Sequence, residues 1–94
     1  IADFNKAIRL NENYAEAYNN KGFTNYKIGQ YQLAIEDYNK AITHKSDYAD
    51  AYCNRAVVYL EQGYNKIGCS DAQKACDLGN CKTLESAKGI GYCR

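Results

Sequence analysis

Residues 14–42 read YAEAYNNKGFTNYKIGQYQLAIEDYNKAI and residues 48–76 read YADAYCNRAVVYLEQGYNKIGCSDAQKAC; a shift of 34 residues lays the first on the second. Tyr18 falls on Tyr52, Asn20 on Asn54, Gly22 on Ala56, Gly29 on Gly63 and Ala41 on Ala75. A partial third copy precedes them, with Ile1, Phe4, Ala7 and Ile8 in register with Ile35, Tyr38, Ala41 and Ile42. Small, aromatic and glycine positions agree together at one period, which marks a structural repeat. Inside each unit the spacing is helical: Tyr18, Gly22 and Asn25 recur at i, i+4 and i+7, as do Tyr52, Ala56 and Tyr59. Asn13 and Asp47 stand where N-caps belong, each with an acid, Glu16 or Asp50, three residues on. Gly29 and Gly63 interrupt each unit, and Gly79 follows the last periodic stretch. The pattern predicts helices near 1–10, 15–28, 31–44, 49–62 and 65–78, and a short one near 82–88.

Composition sets the class around this period. Twelve Lys and Arg against eleven Asp and Glu leave a formal charge of +1. That charge gives no field for a phosphate backbone, so nucleic acid is not the expected partner. No run approaches the roughly 18 apolar residues of a bilayer span, so no membrane span is expected. Ile, Leu, Val and Phe together supply only 16 of the 94 residues, while ten tyrosines and twelve alanines supply the rest of the packing material. The expectation is a small, all-α, tyrosine-packed domain with a thin core, burying roughly 60–65% of its unfolded surface.

The residues resemble the tetratricopeptide repeat (TPR) family. Its succession of an aromatic, a small residue, Gly-x-Tyr, Ala, an aromatic and Ala is met by Tyr18, Gly22, Gly29-Gln30-Tyr31, Ala34, Tyr38 and Ala41. Tyr52, Ala56, Tyr59, Gly63, Gly68 and Ala75 meet it again, so the resemblance covers about residues 1–78. It implies an α-solenoid of antiparallel helix pairs with a C-terminal capping helix. The units would be a half repeat at 1–14 (helix B only), repeats at 15–48 and 49–80, and a Cys-containing cap at 81–94. The departures are specific. Glu12, Ser46 and Asn80 stand at the family's closing proline, Asn25 stands at an aromatic or aliphatic site, and Asn65 holds an aromatic site that Tyr64 precedes. Lys21 and Arg55 take a usually apolar site, which predicts stems over the core and charges in water. The half unit at the front makes the chain the expected C-terminal end of a longer bacterial-type array.

The resemblance also implies that the first helix of each pair lines a concave face. Carried over by position, the groove would comprise Glu16, Asn19, Asn20, Phe23 and Tyr26 in one unit and Asp50, Cys53, Asn54 and Val57 in the next. Asparagine offers both donor and acceptor and can satisfy an extended peptide's backbone; Phe23, Tyr26 and Val57 would form an apolar floor. The expected function is an interaction module for a protein or peptide. Family members that hold an acidic C-terminal tail use Lys and Arg on these helices, where this chain has Asn19 and Cys53, with Glu16 and Asp50 adding negative charge. The ligand expected is therefore neutral or locally basic.

Four of the five cysteines fall in the last 26 residues. Cys69 and Cys76 hold the sites of Ile35 and Ile42, two turns or about 10.5 Å apart on one helix face. In the implied solenoid that face packs against the tail containing Leu84 and Ala87. Folding the tail back after Gly79 leaves Cys81 beside Cys76 and brings Cys93 toward Cys69. This predicts the disulfides Cys76–Cys81 and Cys69–Cys93, one of three possible connectivities. They would staple a terminal cap, and the tail resembles the Cys-rich ends of some bacterial repeat proteins. Four buried free thiols and a zinc-binding or redox module using the same cysteines are the alternatives, although C-x6-C-x4-C-x11-C lacks the close paired ligands of common zinc sites. Cys53 remains as a groove-facing thiol, free or intermolecular. Disulfides would place the chain in the periplasm, at the cell surface or outside; reduced cysteines would place it in the cytoplasm.

The residues form no catalytic constellation. His44, the single histidine, is far in register from Cys53, no C-x-x-C pair is present, and Asp71 and Asp77 with Lys74 between them read as a solvated face. No enzyme activity and no cofactor are expected. A B helix at 1–10 without its A partner would expose Phe4 and Ala7, which predicts self-association through that segment.

Overall fold

The computed structural model describes residues 2–93, with side chains from residue 13 onward. Five helices follow one another: α1 (Ala2–Lys27), α2 (Tyr31–His44), α3 (Ala49–Glu61), α4 (Asn65–Asp77) and α5 (Lys82–Ile90), with no strand among the described residues. The all-helical expectation and most helix bounds hold. Turns of three residues fold α1 against α2 and α3 against α4, and α2 meets α3 across the two pairs. Helices α1, α3 and α5 touch in succession to form one layer. The result is an elongated slab of 48 × 28 × 15 Å.

Two expectations about helix starts are corrected. The helices predicted at 1–10 and 15–28 are one continuous helix, and Asn13 lies inside it. Residues 11–14, Asn-Glu-Asn-Tyr, are helical throughout. The corresponding Lys-Ser-Asp-Tyr at 45–48 does break, with Lys45 in extended conformation. Asp47 is likewise not a cap: α3 starts from Tyr48, without a side-chain cap bond. Tyr48 is half-buried with the Lys45 ammonium 5.2 Å above its ring, so packing of this tyrosine sets the start. The self-association expected through residues 1–10 falls outside the residues whose side chains are described.

The ends of α1, α3 and α4 follow one device. Gln30 N–H donates to the Asn25 carbonyl and Gly29 N–H to that of Tyr26, a Schellman motif that repeats at Gly63-Tyr64 and Gly79-Asn80. The motif needs a left-handed residue, and Gly29 and Gly63 supply φ of 81° and 88°. Around these joints the core divides in two. Ala34, Ile35, Tyr38 and Val58 form one cluster, and Ala56, Leu60, Ala72, Leu84, Ala87 and Cys93 form the other.

The glycine and alanine found at one repeat position have a packing reason. A Cβ on Gly22 would lie 2.6 Å from Cε1 of the fully buried Tyr38. In the next unit the corresponding residues are Ala56 and Ala72, both small and in one cluster. Gly22→Ala is therefore expected to be destabilising by about 1 kcal/mol net, because overpacking of ~1–3 kcal/mol exceeds the helix-propensity gain of up to ~1 kcal/mol. Thermal unfolding should fall by roughly 4–8 °C. A rise in Tm would show that propensity governs the site.

The charges on this scaffold do not all reach water. Arg55 donates from Nε and Nη2 to both carboxylate oxygens of Asp71, at 2.8 Å each, and from Nη1 to Asn39 Oδ1 at 2.8 Å. Asp71 is 7% exposed. Both sequence expectations here are corrected: the Arg55 head is held inside the fold between α2 and α4, and Asp71 is not on a solvated face. The bidentate fork explains the preference for burial, since each charge finds its counter-charge and its hydrogen bonds together. Lys21, at the same repeat position, is exposed as expected, and Asp77 is exposed with Gln73 donating to it. Asn25 fills its atypical position by donating to the buried Asp37 at 2.6 Å.

Candidate functional site

Helices α1 and α3 run side by side and their facing side chains open a hollow of about 450 Å³. Asn19, Asn20 and Phe23 contribute from α1, and Asp50, Cys53 and Asn54 from α3. Six of the nine residues expected in the groove are thus brought together. The other three lie elsewhere. Glu16 is exposed on α1 outside the lining, and Val57 belongs to a smaller apolar hollow of about 160 Å³ beside Leu60, Ala87 and Ile90. Tyr26 is engaged across the repeats, its hydroxyl donating to Glu61 Oε1 at 2.6 Å while Tyr31 donates to Oε2 at 3.1 Å.

That Glu61 bridge carries a pH signature. The hydrogen bond to Glu61, aided by burial, pushes the Tyr26 hydroxyl up to about 12 from 10, and the separate bond from Tyr31 to Glu61 raises Tyr31. A folded pKa above the unfolded one means that the contribution is complete below pH 10 and is lost as pH rises through about 12. The Tyr26→Phe, Tyr31→Phe variant should lose less stability over that window than the parent in urea titrations. An equal loss in the two proteins would discount the bridge.

Within the hollow the amides are not equivalent. Asn54 Nδ2 donates to Oδ1 of the buried Asn19 at 3.0 Å, which locks the two helices together and leaves Asn54 its second N–H and its carbonyl oxygen. Asn20 is exposed with no such tie, and the Phe23 ring is 46% exposed with the Lys27 ammonium 5.1 Å above it. The hollow therefore presents amide and aromatic surface side by side.

The third wall was not anticipated. It consists of Asn80, Lys82 and Thr83, from the turn before α5 and from its first residues. Asn80 Nδ2 donates to Asp50 Oδ1 at 3.1 Å, Asn80 Oδ1 accepts the Lys82 N–H at 3.1 Å, and the Cys53 thiol points to the Asn80 carbonyl at 3.7 Å. Lys82 and Asp50 both line the hollow, so it carries both signs. Asn80 stands where the family's closing proline was noted as missing, and that substitution was the available signal.

The cap is closed as the cysteine register predicts. Cys69 is bonded to Cys93 and Cys76 to Cys81, and Cys53 is the free cysteine. Cys53 is only 6% exposed under the Asn80 turn, which corrects the reading of a thiol available between molecules. His44 stacks on Tyr18 with ring centroids 5.7 Å apart, remote from the hollow lining. No described helix is long and apolar enough to cross a membrane.

A family model described as TPR repeat matches residues 1–29 and again residues 26–63. No curated protein matches the chain.

Proposed function

The chain belongs to the TPR repeat family, whose repeats are protein–protein interaction modules, and from that premise we propose that the hollow between α1 and α3 holds an extended peptide segment of a partner. The observation that carries this reading is the pairing of exposed Asn20 with half-exposed Phe23 on a floor fixed by the Asn54–Asn19 bond. A rigid floor lowers the ordering cost of binding, the amide serves the peptide backbone, and the ring takes an apolar side chain. The mixed charges of Asp50 and Lys82 suit a segment of low net charge. The disulfides are compatible with an oxidising compartment, and we place the partner with the chain in the periplasm, at the cell surface or outside.

The test is selection of a displayed random-peptide library on the oxidised chain, followed by titration of the enriched peptide. Asn20→Ala and Phe23→Ala should each weaken it about tenfold, which is ~1.4 kcal/mol. Leu33→Ala, exposed on α2 and absent from the hollow lining, should leave it unchanged. Equal losses at Leu33 and Phe23 would remove the groove from consideration.

A further inference from the structure

We propose that the Cys76–Cys81 disulfide is a redox latch on the groove, acting through the Asn80 turn that it encloses. The bond joins the last turn of α4 to the residue before α5, and the segment between carries Asn80. Asn80 reaches the groove through both ends of its side chain and through its carbonyl, touching Asp50, Lys82 and Cys53. The turn therefore fixes the third wall and covers the Cys53 thiol. The far end of the cap is held independently by Cys69–Cys93. Opening the first bond releases the wall while the second keeps α5 attached.

The two bonds differ in access at one sulfur. Cys76 and Cys81 are both partly exposed, whereas in the other bond Cys69 is partly exposed and Cys93 is buried at 6%. The latch offers an external dithiol two accessible sulfurs, the other bond only one. One thiolate of that donor attacks a latch sulfur to give a mixed disulfide, and its second thiolate then displaces it. The donor leaves as a disulfide, and Cys76 and Cys81 become thiols with the donor's two electrons and two protons. In the open form Asn80 no longer holds Asp50 and Lys82 in place, and peptide affinity falls. That last consequence rests on the peptide-groove reading; the unmasking of Cys53 does not.

The experiment uses the full chain and the alkylating agent N-ethylmaleimide, with modification of Cys53 followed by mass spectrometry under native conditions. In the Cys76→Ser, Cys81→Ser variant, with Cys69–Cys93 intact, Cys53 should react at least about tenfold faster than in the parent, because its cover opens locally. Asn80→Ala with both disulfides closed should raise the rate in the same direction. If the double variant loses its helical circular dichroism, the Asn80→Ala rate decides alone. Rates within about twofold of the parent overturn the latch. Unmasked Cys53 with library-selected peptide affinity unchanged would keep the latch and sink its link to the groove. Unmasked Cys53 with no peptide selected by either form would sink the groove reading instead.

Discussion

Replacing Cys69 and Cys93 together by alanine is expected to lower the unfolding free energy by about 3.5 kcal/mol, against about 2 kcal/mol for Cys76 and Cys81 replaced by serine. The inequality follows from loop length. The first bond joins residues 24 apart and the second residues 5 apart, so the first removes more freedom from the unfolded chain. The folded state adds a second reason. Leu84, Ala87 and Cys93 of the cap complete the cluster begun by Ala56, Leu60 and Ala72. With the tether gone, fraying of α5 uncovers Leu60 and Ala72, which no other described helix covers on that side. A domain of this size has only ~5–15 kcal/mol in total, so the larger loss should shift Tm by well over 10 °C at roughly 4–8 °C per kcal/mol. Urea titrations of the two variants beside the parent measure this. A larger loss from the short loop than from the long one would mean that native contacts, rather than chain entropy, set the value of these bonds. Alkylation of the unreduced, denatured parent should add one group, at Cys53.

The repeats were legible because the same few side chains recur where a helix pair must be small, aromatic or left-handed. The cysteine pairing was legible for a related reason: Cys69 and Cys76 replace two isoleucines on one face, and a face seven residues long admits few return paths for a nine-residue helix. Periodicity identifies a face but not what lies across it. Hence spacing presents Asn54 as a free groove amide although one of its two N–H donors is spent on Asn19, and Asp71 as solvated although Arg55 lies opposite. A signal for the second was present. Asp37 and Asp71 are 34 residues apart, each four residues before a buried alanine, Ala41 or Ala75, and an acid repeated on a buried face requires a partner in each unit. The continuity of α1 was not legible, since capping residues and helix interiors use the same asparagines and glutamates. The cap's share of the groove escaped because Asn80, Lys82 and Thr83 lie outside the repeated segment.

The two repeated acids are expected to differ sharply when removed. Asp71→Ala leaves the Arg55 guanidinium inside the fold with only Asn39 as an acceptor and the Tyr52 ring 5.3 Å away. Loss of one partner from a buried pair costs ~3–5 kcal/mol, and because Arg55 keeps 19% of its side-chain surface in water we expect about 3 kcal/mol. An arginine guanidinium keeps its proton at any working pH, so neutralisation offers it no escape. Asp37→Ala instead orphans Asn25, a neutral amide, at ~1–2 kcal/mol. The combined Arg55→Met, Asp71→Leu variant should recover to within about 1 kcal/mol of the parent, because apolar groups of similar volume carry no desolvation cost. Urea titration of the single and double variants completes the cycle. Equal losses at Asp37 and Asp71, with no recovery in the double variant, would mean that both acids act through the shape of their helix face. A larger loss at Asp71 with recovery would assign the difference to the stranded charge, and with it the lysine-to-arginine change between position 21 and position 55.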